Sequence, residues 1–266
     1  MNEEVGKAFQ AGTKHRRETL RGYHLDWDAR PPTFKIYSGA PLFELPDARS
    51  EPGATLQGDG DLWSIVARRR SVRRFSAEED VTQLELSQLL WAGVGVTRAT
   101  PHHLFRAAPS AGGLYPIETY LVVNRVTGVP PGLYHYRVAG PNDDGVIDAG
   151  RGHALEQLQD GPLGDAVAQA ALGQEWAASA AVVFIWTAVF TRARWKYRER
   201  AFRYVYLDAG HMAAHVSLAA VAQGLGSCQI AAFFDEEVDG LVGIDGEEEG
   251  TVYMSAVGRP LTDQRA

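Results

Sequence analysis

Two short segments of the chain hold residue types that could bind an anion or move a proton. Residues 68–75 read RRRSVRRF and gather five arginines. A guanidinium holds phosphate through two parallel hydrogen bonds, and a serine hydroxyl can add another, so this segment predicts a phosphate site. Residues 193–200 read ARWKYRER, where cationic neighbours favour the neutral form of Lys196 and the ionised form of Tyr197. That pair predicts proton transfer, although spacing alone favours a solvated, charged helix start.

A third segment, residues 109–116, reads PSAGGLYP. Adjacent glycines permit positive φ and close approach of the backbone to a ligand, and Tyr115 adds an aromatic face. The segment lacks both G-x-G-x-x-G and the P-loop lysine, so a tight turn before a strand explains it as well as a ligand loop does. His211 and His215 have the i, i+4 spacing of a helical zinc site. The intervening glutamate and a third ligand are missing, so we expect no metal.

Composition excludes several classes of function. The 266-residue chain has a net charge of -7 and a pI of about 5.6, whereas domains that bind nucleic-acid backbones often have a pI above about 9. No apolar run reaches the roughly 18 residues of a membrane helix, and the N-terminus lacks the pattern of a secretory signal. The lone Cys228 excludes an internal disulfide. We therefore expect a cytoplasmic protein that binds neither nucleic acid nor membranes.

The elements that must position these residues are mixed helices and strands without regular alternation, which predicts an α+β fold. Residues 1–60 combine charge with turn formers and predict an arm that wraps the core formed by residues 61–266. A buried central strand is predicted at 180–190 and a core helix at 201–226. The other predicted elements are helices from Asp61 and Thr82, strands at 118–126 and 132–138, helices at 152–160 and 163–173, and strands at 228–234 and 251–258.

Together these segments resemble the FMN-dependent nitroreductase superfamily. RRRSVRRF resembles its first flavin-binding motif, PSAGGLYP its second flavin loop, and VGRP at 257–260 the segment that adds a cation at the flavin phosphate. Within the superfamily, PSAGGLYP, Lys196-Tyr197, LDAGH at 207–211 and GLGSC at 224–228 are similar to the SagB-type, McbC-like dehydrogenases. GTKHRRETL, DWDARPPTFKIY and ELP resemble the opening of that subfamily, so the likeness covers about residues 10–262.

The resemblance implies a nitroreductase-like fold, in which helices flank a central mixed or antiparallel sheet. It also implies an intertwined homodimer with one FMN in each of two interface sites. It places FMN contacts at residues that carry charge, a polar group or an accessible backbone: Arg69, Arg70, Ser71, Arg73, Ser110, Ala111, Gly113, Gln174, Ala232, Phe233 and Arg259. Ser110, Ala111 and Gly113 would reach the flavin of the partner subunit. Backbone near Ala232 and Phe233 would approach flavin N5, in a region that departs from the acidic-glycine form of many nitroreductases.

SagB-type enzymes are similar to dehydrogenases that oxidise thiazolines and oxazolines in peptides to thiazoles and oxazoles. The resemblance implies that Lys196 and Tyr197 remove the ring Cα proton, that hydride passes from Cβ to flavin N5, and that dioxygen takes the electrons. An NAD(P)H-dependent nitro or quinone reductase on the same fold shares the flavin site, so RRRSVRRF does not separate the two. A third alternative is a non-catalytic FMN- or peptide-binding partner of a cyclase or synthetase. The substrate, whether a ribosomal peptide, a carrier-bound peptide or a small metabolite, is not readable from these residues.

Overall fold

A seven-stranded sheet forms the centre of the computed structural model, which describes residues 5–14, 25–48, 61–100, 103–139 and 152–261. In chain order the strands are β1 (Leu42–Glu44), β2 (Val96–Ala99), β3 (Leu104–Arg106), β4 (Ile117–Val123), β5 (Gly132–Arg137), β6 (Ala154–Asp160), β7 (Val182–Val189), β8 (Gly226–Ile230) and β9 (Glu249–Gly258). The sheet order is β1-β6-β5-β4-β7-β9-β8 with antiparallel neighbours, and β2 pairs with β3 separately. The predicted α+β class with a mainly antiparallel sheet is confirmed.

Helices pack on both faces of this sheet. In chain order they are α1 (Val5–Gly12), α2 (Leu62–Arg68), α3 (Gln83–Val94), α4 (Gly164–Ala170), α5 (Trp176–Ser179), α6 (Phe190–Tyr197), α7 (Ala201–Ala222) and α8 (Asp235–Val242). Side-chain caps fix two of the helix starts. Asp61 accepts a hydrogen bond from the Ser64 amide before α2, and Thr82 and Glu85 form a reciprocal capping box before α3.

The sheet separates two apolar cores because side chains alternate between its faces along each strand. On β4, Leu121 and Val123 belong to the core shared with α3 and α7, which we call the first core. Tyr120 and Val122 belong to the core shared with α4, α5 and α8, which we call the second core. Because β7 has neighbours on both sides and is buried at all but its last residue, it is the predicted central strand. The predicted core helix is α7.

Most of the predicted elements are confirmed, and one is wrong. The helices from Asp61 and Thr82, the helix at 163–173, and the four predicted strands correspond to α2, α3, α4, β4, β5, β8 and β9. Residues 152–160, predicted as a helix, instead contain β6, which pairs with β5 on one side and β1 on the other. Leu155, Glu156 and Gln157 are good helix formers, but the strand pairings override that preference.

The described parts of the N-terminal segment, residues 5–14 and 25–48, pack against the later part of the chain. The strand β1 pairs with β6, and the Lys35 ammonium donates a hydrogen bond to the Tyr120 hydroxyl at 2.7 Å. Phe34 and Phe43 pack against the first core. The predicted division of the chain at residue 60 falls outside the described residues and stays a prediction.

Candidate functional site

The arginine-rich segment lies at the edge of the sheet, beside β8 and the chain that follows β9. The Val72 amide donates to the Ser227 carbonyl at 2.9 Å, and Ser71 forms a parallel bridge with Ser227. Farther along, the Ser76 amide donates to the Arg259 carbonyl at 2.8 Å. The fold therefore brings the VGRP segment next to RRRSVRRF, although the two are distant in sequence.

Buried anchors hold this segment in place while its polar side chains face outwards. Val72 and Phe75 are only 5% and 4% exposed. Gly226 makes room for the first anchor, because a Cβ atom at that position would lie 2.7 Å from Cβ of Val72. The side chains predicted to hold the flavin phosphate and ribityl chain are all exposed: Arg69, Arg70, Ser71 and Arg73. Guanidinium groups and a hydroxyl on an anchored backbone are a donor set suited to phosphate.

Arg259 is paired with a carboxylate. Its Nη2 donates to Glu85 Oε1 at 2.6 Å and to Oε2 at 2.8 Å, and both side chains are largely buried. Glu85 also closes the capping box of α3, which fixes its position. Both contacts use Nη2, and a guanidinium has further N–H groups that can donate to an anion. The pairing therefore orients Arg259 without using its whole donor capacity.

Two other predicted flavin contacts, Gln174 and Ala232, meet directly. The Gln174 amide nitrogen donates to the Ala232 carbonyl at 3.0 Å and to a second backbone carbonyl. These bonds use amide protons and leave the side-chain oxygen of Gln174 as the group that can accept from a ligand. Trp176 and Phe233 both pack against the second core, and the Arg73 guanidinium lies 5.9 Å from the centre of the Trp176 ring. The fold thus links this region to the arginine-rich segment.

Cys228 lies beside the arginine-rich segment. Burial raises the pKa of its thiol, while the charge of Arg73 and a hydrogen bond with Ser71 act in the opposite direction. The thiol is therefore neutral near physiological pH, which does not suit a nucleophile.

A buried carboxylate on α7 organises the glycine-rich loop. Asp208 accepts hydrogen bonds from Ser110 Oγ at 2.6 Å and from the Ala111 amide at 3.2 Å. Ser110 Oγ in turn accepts from the Tyr115 amide at 3.0 Å. Asp208 is 4% exposed, and burial raises the pKa of its carboxyl group. Sequence reasoning missed this role of Asp208, because the LDAGH motif marked the residue only as part of a family likeness.

Lys196 and Tyr197, which we call the proton-transfer pair, lie directly against this loop. Gly112 has a φ of 66°, and a Cβ atom there would lie 2.5 Å from the Tyr197 hydroxyl and 3.0 Å from Lys196 Nζ. Glycine is needed both for this backbone conformation and for this close approach. Lys196 Nζ is 5.5 Å from the centre of the Tyr197 ring, and Tyr204 packs edge-on against the same ring. The pair therefore stands beside the backbone of the predicted second flavin loop.

A buried ion pair fixes the helix α6 that carries this pair. Arg192 Nη1 lies 2.6 Å from Glu118 Oε1 on β4 and donates to the Tyr115 carbonyl at 3.3 Å. Burial opposes ionisation of Glu118, but a hydrogen bond with His135 and the charge of Arg192 lower its pKa to about 2. One ionised carboxylate therefore joins α6, β4 and the end of the glycine-rich loop.

The predicted site residues thus form two groups that are anchored in different cores. The arginine-rich segment, through Val72 and Phe75, and the region of Trp176 and Phe233 belong to the second core. Tyr197 packs against the first core. The first group contains Arg69, Arg70, Ser71, Arg73, Gln174, Ala232, Phe233 and Arg259, and the second contains Ser110, Ala111, Gly113, Lys196 and Tyr197.

Two sequence expectations, that His211 and His215 bind no metal and that no helix spans a membrane, can be compared with the described residues. His215 Nδ1 hydrogen-bonds with the Ala92 carbonyl at 2.9 Å, which is a structural contact. Within the described ranges, no three side chains of His, Cys, Asp or Glu are grouped as metal ligands. Among the helices that the structure describes, none has both the length and the apolar character needed to cross a lipid bilayer.

Comparison with known proteins gives one family match. The model of the Nitroreductase family matches residues 66–259. The MJ1384 protein of Methanocaldococcus jannaschii, named as a candidate nitroreductase, is 34% identical over 200 residues, which are 75% of this chain and 91% of that protein. A crystal structure of a candidate nitroreductase from Anabaena variabilis is 28% identical with a TM-score of 0.73. That match covers 98% of this chain and 47% of the Anabaena chain.

Two further matches are a curated protein and a solved complex. The trifolitoxin-processing protein TfxB of Rhizobium leguminosarum is 36% identical over 129 residues, which are 48% of this chain and 32% of TfxB. A chain of the E. coli microcin synthetase McbBCD complex is 16% identical, with a TM-score of 0.55 over 97% of this chain and 82% of that one, and shows a shared fold alone. The chain thus spans about half the length of the Anabaena protein and about a third of TfxB.

Proposed function

The chain belongs to the nitroreductase family, whose members are generally flavin-dependent oxidoreductases, and we propose that it is an FMN-dependent dehydrogenase of the SagB type. Its proposed substrate is a thiazoline or oxazoline ring in a peptide, which it oxidises to the azole. The observation that carries this proposal is the position of Lys196 and Tyr197 against Gly112 of the glycine-rich loop. The partial likeness to the trifolitoxin-processing protein supports a peptide substrate.

The donor set of the first group fits FMN. Several exposed guanidinium groups at one place favour a phosphate, and the side-chain oxygen of Gln174 is suited to accept from the N–H of a pyrimidine edge. When bound, FMN would supply the acceptor for a hydride and pass the electrons to dioxygen, which yields hydrogen peroxide. The residues proposed to hold it are Arg69, Arg70, Ser71, Arg73, Gln174, Ala232, Phe233 and Arg259, with Ser110, Ala111 and Gly113 of a partner subunit.

The proton-transfer pair has a separate task, which is to take the Cα proton of the azoline ring. A neutral Lys196 amine or a Tyr197 phenolate is a base of the required kind. Both polar atoms lie against the backbone of Gly112, so a ring bound beside this loop would meet both groups. Loss of this proton from Cα and of a hydride from Cβ removes two hydrogens and two electrons, which converts the azoline into the aromatic azole.

Two copies of the chain would complete each site. The two groups are anchored in different cores, and a homodimer can bring the first group of one subunit to the second group of its partner. The helices α2 and α7 are in contact with each other. Both carry exposed apolar side chains: Leu62, Trp63, Val66, Tyr206 and Leu207. An exposed apolar patch of this kind is typical of a subunit interface. Light scattering should therefore give the mass of a dimer, and a monomer with full activity would contradict this arrangement.

An NAD(P)H-dependent reductase is the second candidate, and the likeness to MJ1384, named as a candidate nitroreductase, favours it. The two functions differ in the electron donor. A peptide azoline donates electrons in the first, and a nicotinamide donates them in the second. A non-catalytic partner of a cyclase or synthetase would show neither turnover.

The deciding experiment incubates FMN-loaded protein with an azoline peptide in air and follows the loss of two hydrogens per ring by mass spectrometry. Wild type should produce azole and peroxide. Lys196→Ala should retain FMN and lose about 100-fold or more in rate, the scale of general base catalysis. Oxidation by Lys196→Ala at the wild-type rate would show that Lys196 is not the base. If wild type leaves the ring intact but oxidises NADPH, the reductase function replaces the proposed one.

A further inference from the structure

The N-terminal segment makes hydrogen bonds with residues of α6 that precede the proton-transfer pair in sequence. Trp195 Nε1 donates to the Asp26 carbonyl at 2.7 Å, and Arg192 Nε donates to the Pro32 carbonyl at 2.7 Å. The Trp27 ring packs edge-on against the Trp195 ring, with centroids 5.3 Å apart. Two donors of α6 are therefore held by backbone carbonyls of a segment that is distant in sequence.

The same segment also makes hydrogen bonds with residues that follow the pair in sequence. Arg200 Nη1 donates to the Thr13 carbonyl at 2.7 Å, and Arg203 Nε donates to Thr13 Oγ1 at 2.7 Å. Arg203 Nη2 also donates to the Gln10 carbonyl at 2.7 Å. Thr13 is 8% exposed, so its two bonds lie in a packed contact, whereas the bond to Gln10 is exposed. The N-terminal segment thus holds the chain on both sides of the pair.

The backbone between these two contacts is strained. Arg198 directly follows the pair and has φ 50° and ψ -135°, close to the first central position of a type II′ turn, where glycine is preferred. A residue with a side chain keeps such a conformation only when the surrounding structure enforces it, and this strain is typical of functional sites. The bonds described above flank Arg198 and restrain the chain on both sides of it.

We propose that the N-terminal segment positions the proton-transfer pair and that Trp195, Arg200 and Arg203 are positioning residues, an inference that rests on the function proposed above. The pair meets the Cβ position of Gly112 at 2.5 and 3.0 Å, so a small displacement of the end of α6 changes this contact. A misplacement of about 1 Å can lower a rate about 100-fold. Loss of these contacts should therefore lower kcat, while KM for the peptide changes little.

Two substitutions remove the side-chain hydrogen bonds of Arg203 and Trp195 to the N-terminal segment and keep most of each side chain's volume. Arg203→Met removes two donated hydrogen bonds but keeps an apolar stem, and Trp195→Phe removes the indole N–H but keeps an aromatic ring. Arg194→Met is the matched control, because Arg194 is exposed on the same helix and pairs with Glu199. Each full-length, FMN-loaded protein is labelled with fluorotyrosine. Loss of a fluorine NMR signal in Tyr197→Phe identifies the signal of Tyr197.

In Arg203→Met and Trp195→Phe, the Tyr197 signal should shift or broaden, and kcat should fall about tenfold or more with KM nearly unchanged. The control should match wild type in both measurements. If neither the signal nor kcat changes in the two variants, the positioning role is wrong. A changed signal with an unchanged kcat also contradicts it. If the signal changes but wild type itself does not oxidise azolines, the segment still positions the pair and the proposed reaction fails.

A second comparison tests the strain independently. Arg198→Gly and Arg198→Ala remove the same side-chain contacts, but only glycine relieves the backbone at positive φ. Arg198→Gly should therefore have the higher Tm of the two, together with a broader Tyr197 signal and the lower kcat. Equal Tm values, or a higher Tm for Arg198→Ala, would show that the backbone at Arg198 stores no strain that serves the pair.

Discussion

A methyl group added at Gly112 should separate stability from activity. In Gly112→Ala the new Cβ atom would lie 2.5 Å from the Tyr197 hydroxyl, so this oxygen must retreat by about 0.9 Å to reach an ordinary contact of 3.4 Å. A misplacement of that size at a reacting group costs about 100-fold in rate. The positive φ of 66° adds a backbone cost of about 1–2 kcal/mol for any residue with a side chain.

Gly243→Ala is the matched control for this prediction. Gly243 has a φ of 80° at the end of α8, and a Cβ atom there meets nothing within 4 Å. Both variants should therefore lose about 1–2 kcal/mol in urea unfolding, but only Gly112→Ala should lose kcat for azoline oxidation. Normal kcat in Gly112→Ala, or an equal loss of kcat in both variants, would refute the claim that the pair acts at this loop.

Three further outcomes are expected. Asp208→Asn should lower the free energy of unfolding by about 1.5–3 kcal/mol in urea melts, because the Ser110 hydroxyl and the Ala111 amide lose a charged acceptor. An unchanged free energy of unfolding would contradict the role of the carboxylate. Arg259→Ala should weaken FMN binding about tenfold or more in flavin fluorescence titrations, and unchanged affinity would remove Arg259 from the phosphate site. The pKa of Glu118 is about 2 in the folded protein, below its usual value of 4.5. Ionised Glu118 therefore stabilises the fold at pH values above 4.5, and this contribution is lost as the pH falls towards 2. Glu118→Gln should therefore cost more stability at pH ~6 than at pH ~3, and equal costs would contradict an ionised buried carboxylate.

Local patterns in the sequence predict most of the helices and strands. Thr82 predicts the N-cap of a helix, and in the structure its side chain accepts a hydrogen bond from the Glu85 amide. The apolar runs at 180–190 and 201–226 predict elements that are buried on nearly all sides. Such signals lie within a few residues of each other, so no knowledge of the tertiary fold is needed to read them.

Features that depend on distant contacts could not be predicted. Residues 152–160 have helix-forming side chains, and only pairing with β1 and β5 makes them a strand. The carboxylate of Asp208 and the loop that it holds are separated by 98 positions, and Arg259 and Glu85 by 174. No periodicity links residues so far apart. The family likeness supplied the expected flavin contacts, but not the carboxylates that orient them.

The most direct measurement of the central claim is anaerobic mixing of the FMN-loaded protein with an azoline peptide in a stopped-flow spectrometer. The account predicts that the peptide bleaches the visible absorbance of the flavin in a single turnover, that Lys196→Ala prevents this, and that NADPH does not bleach it rapidly. Rapid bleaching by NADPH together with an inert azoline peptide would contradict the account.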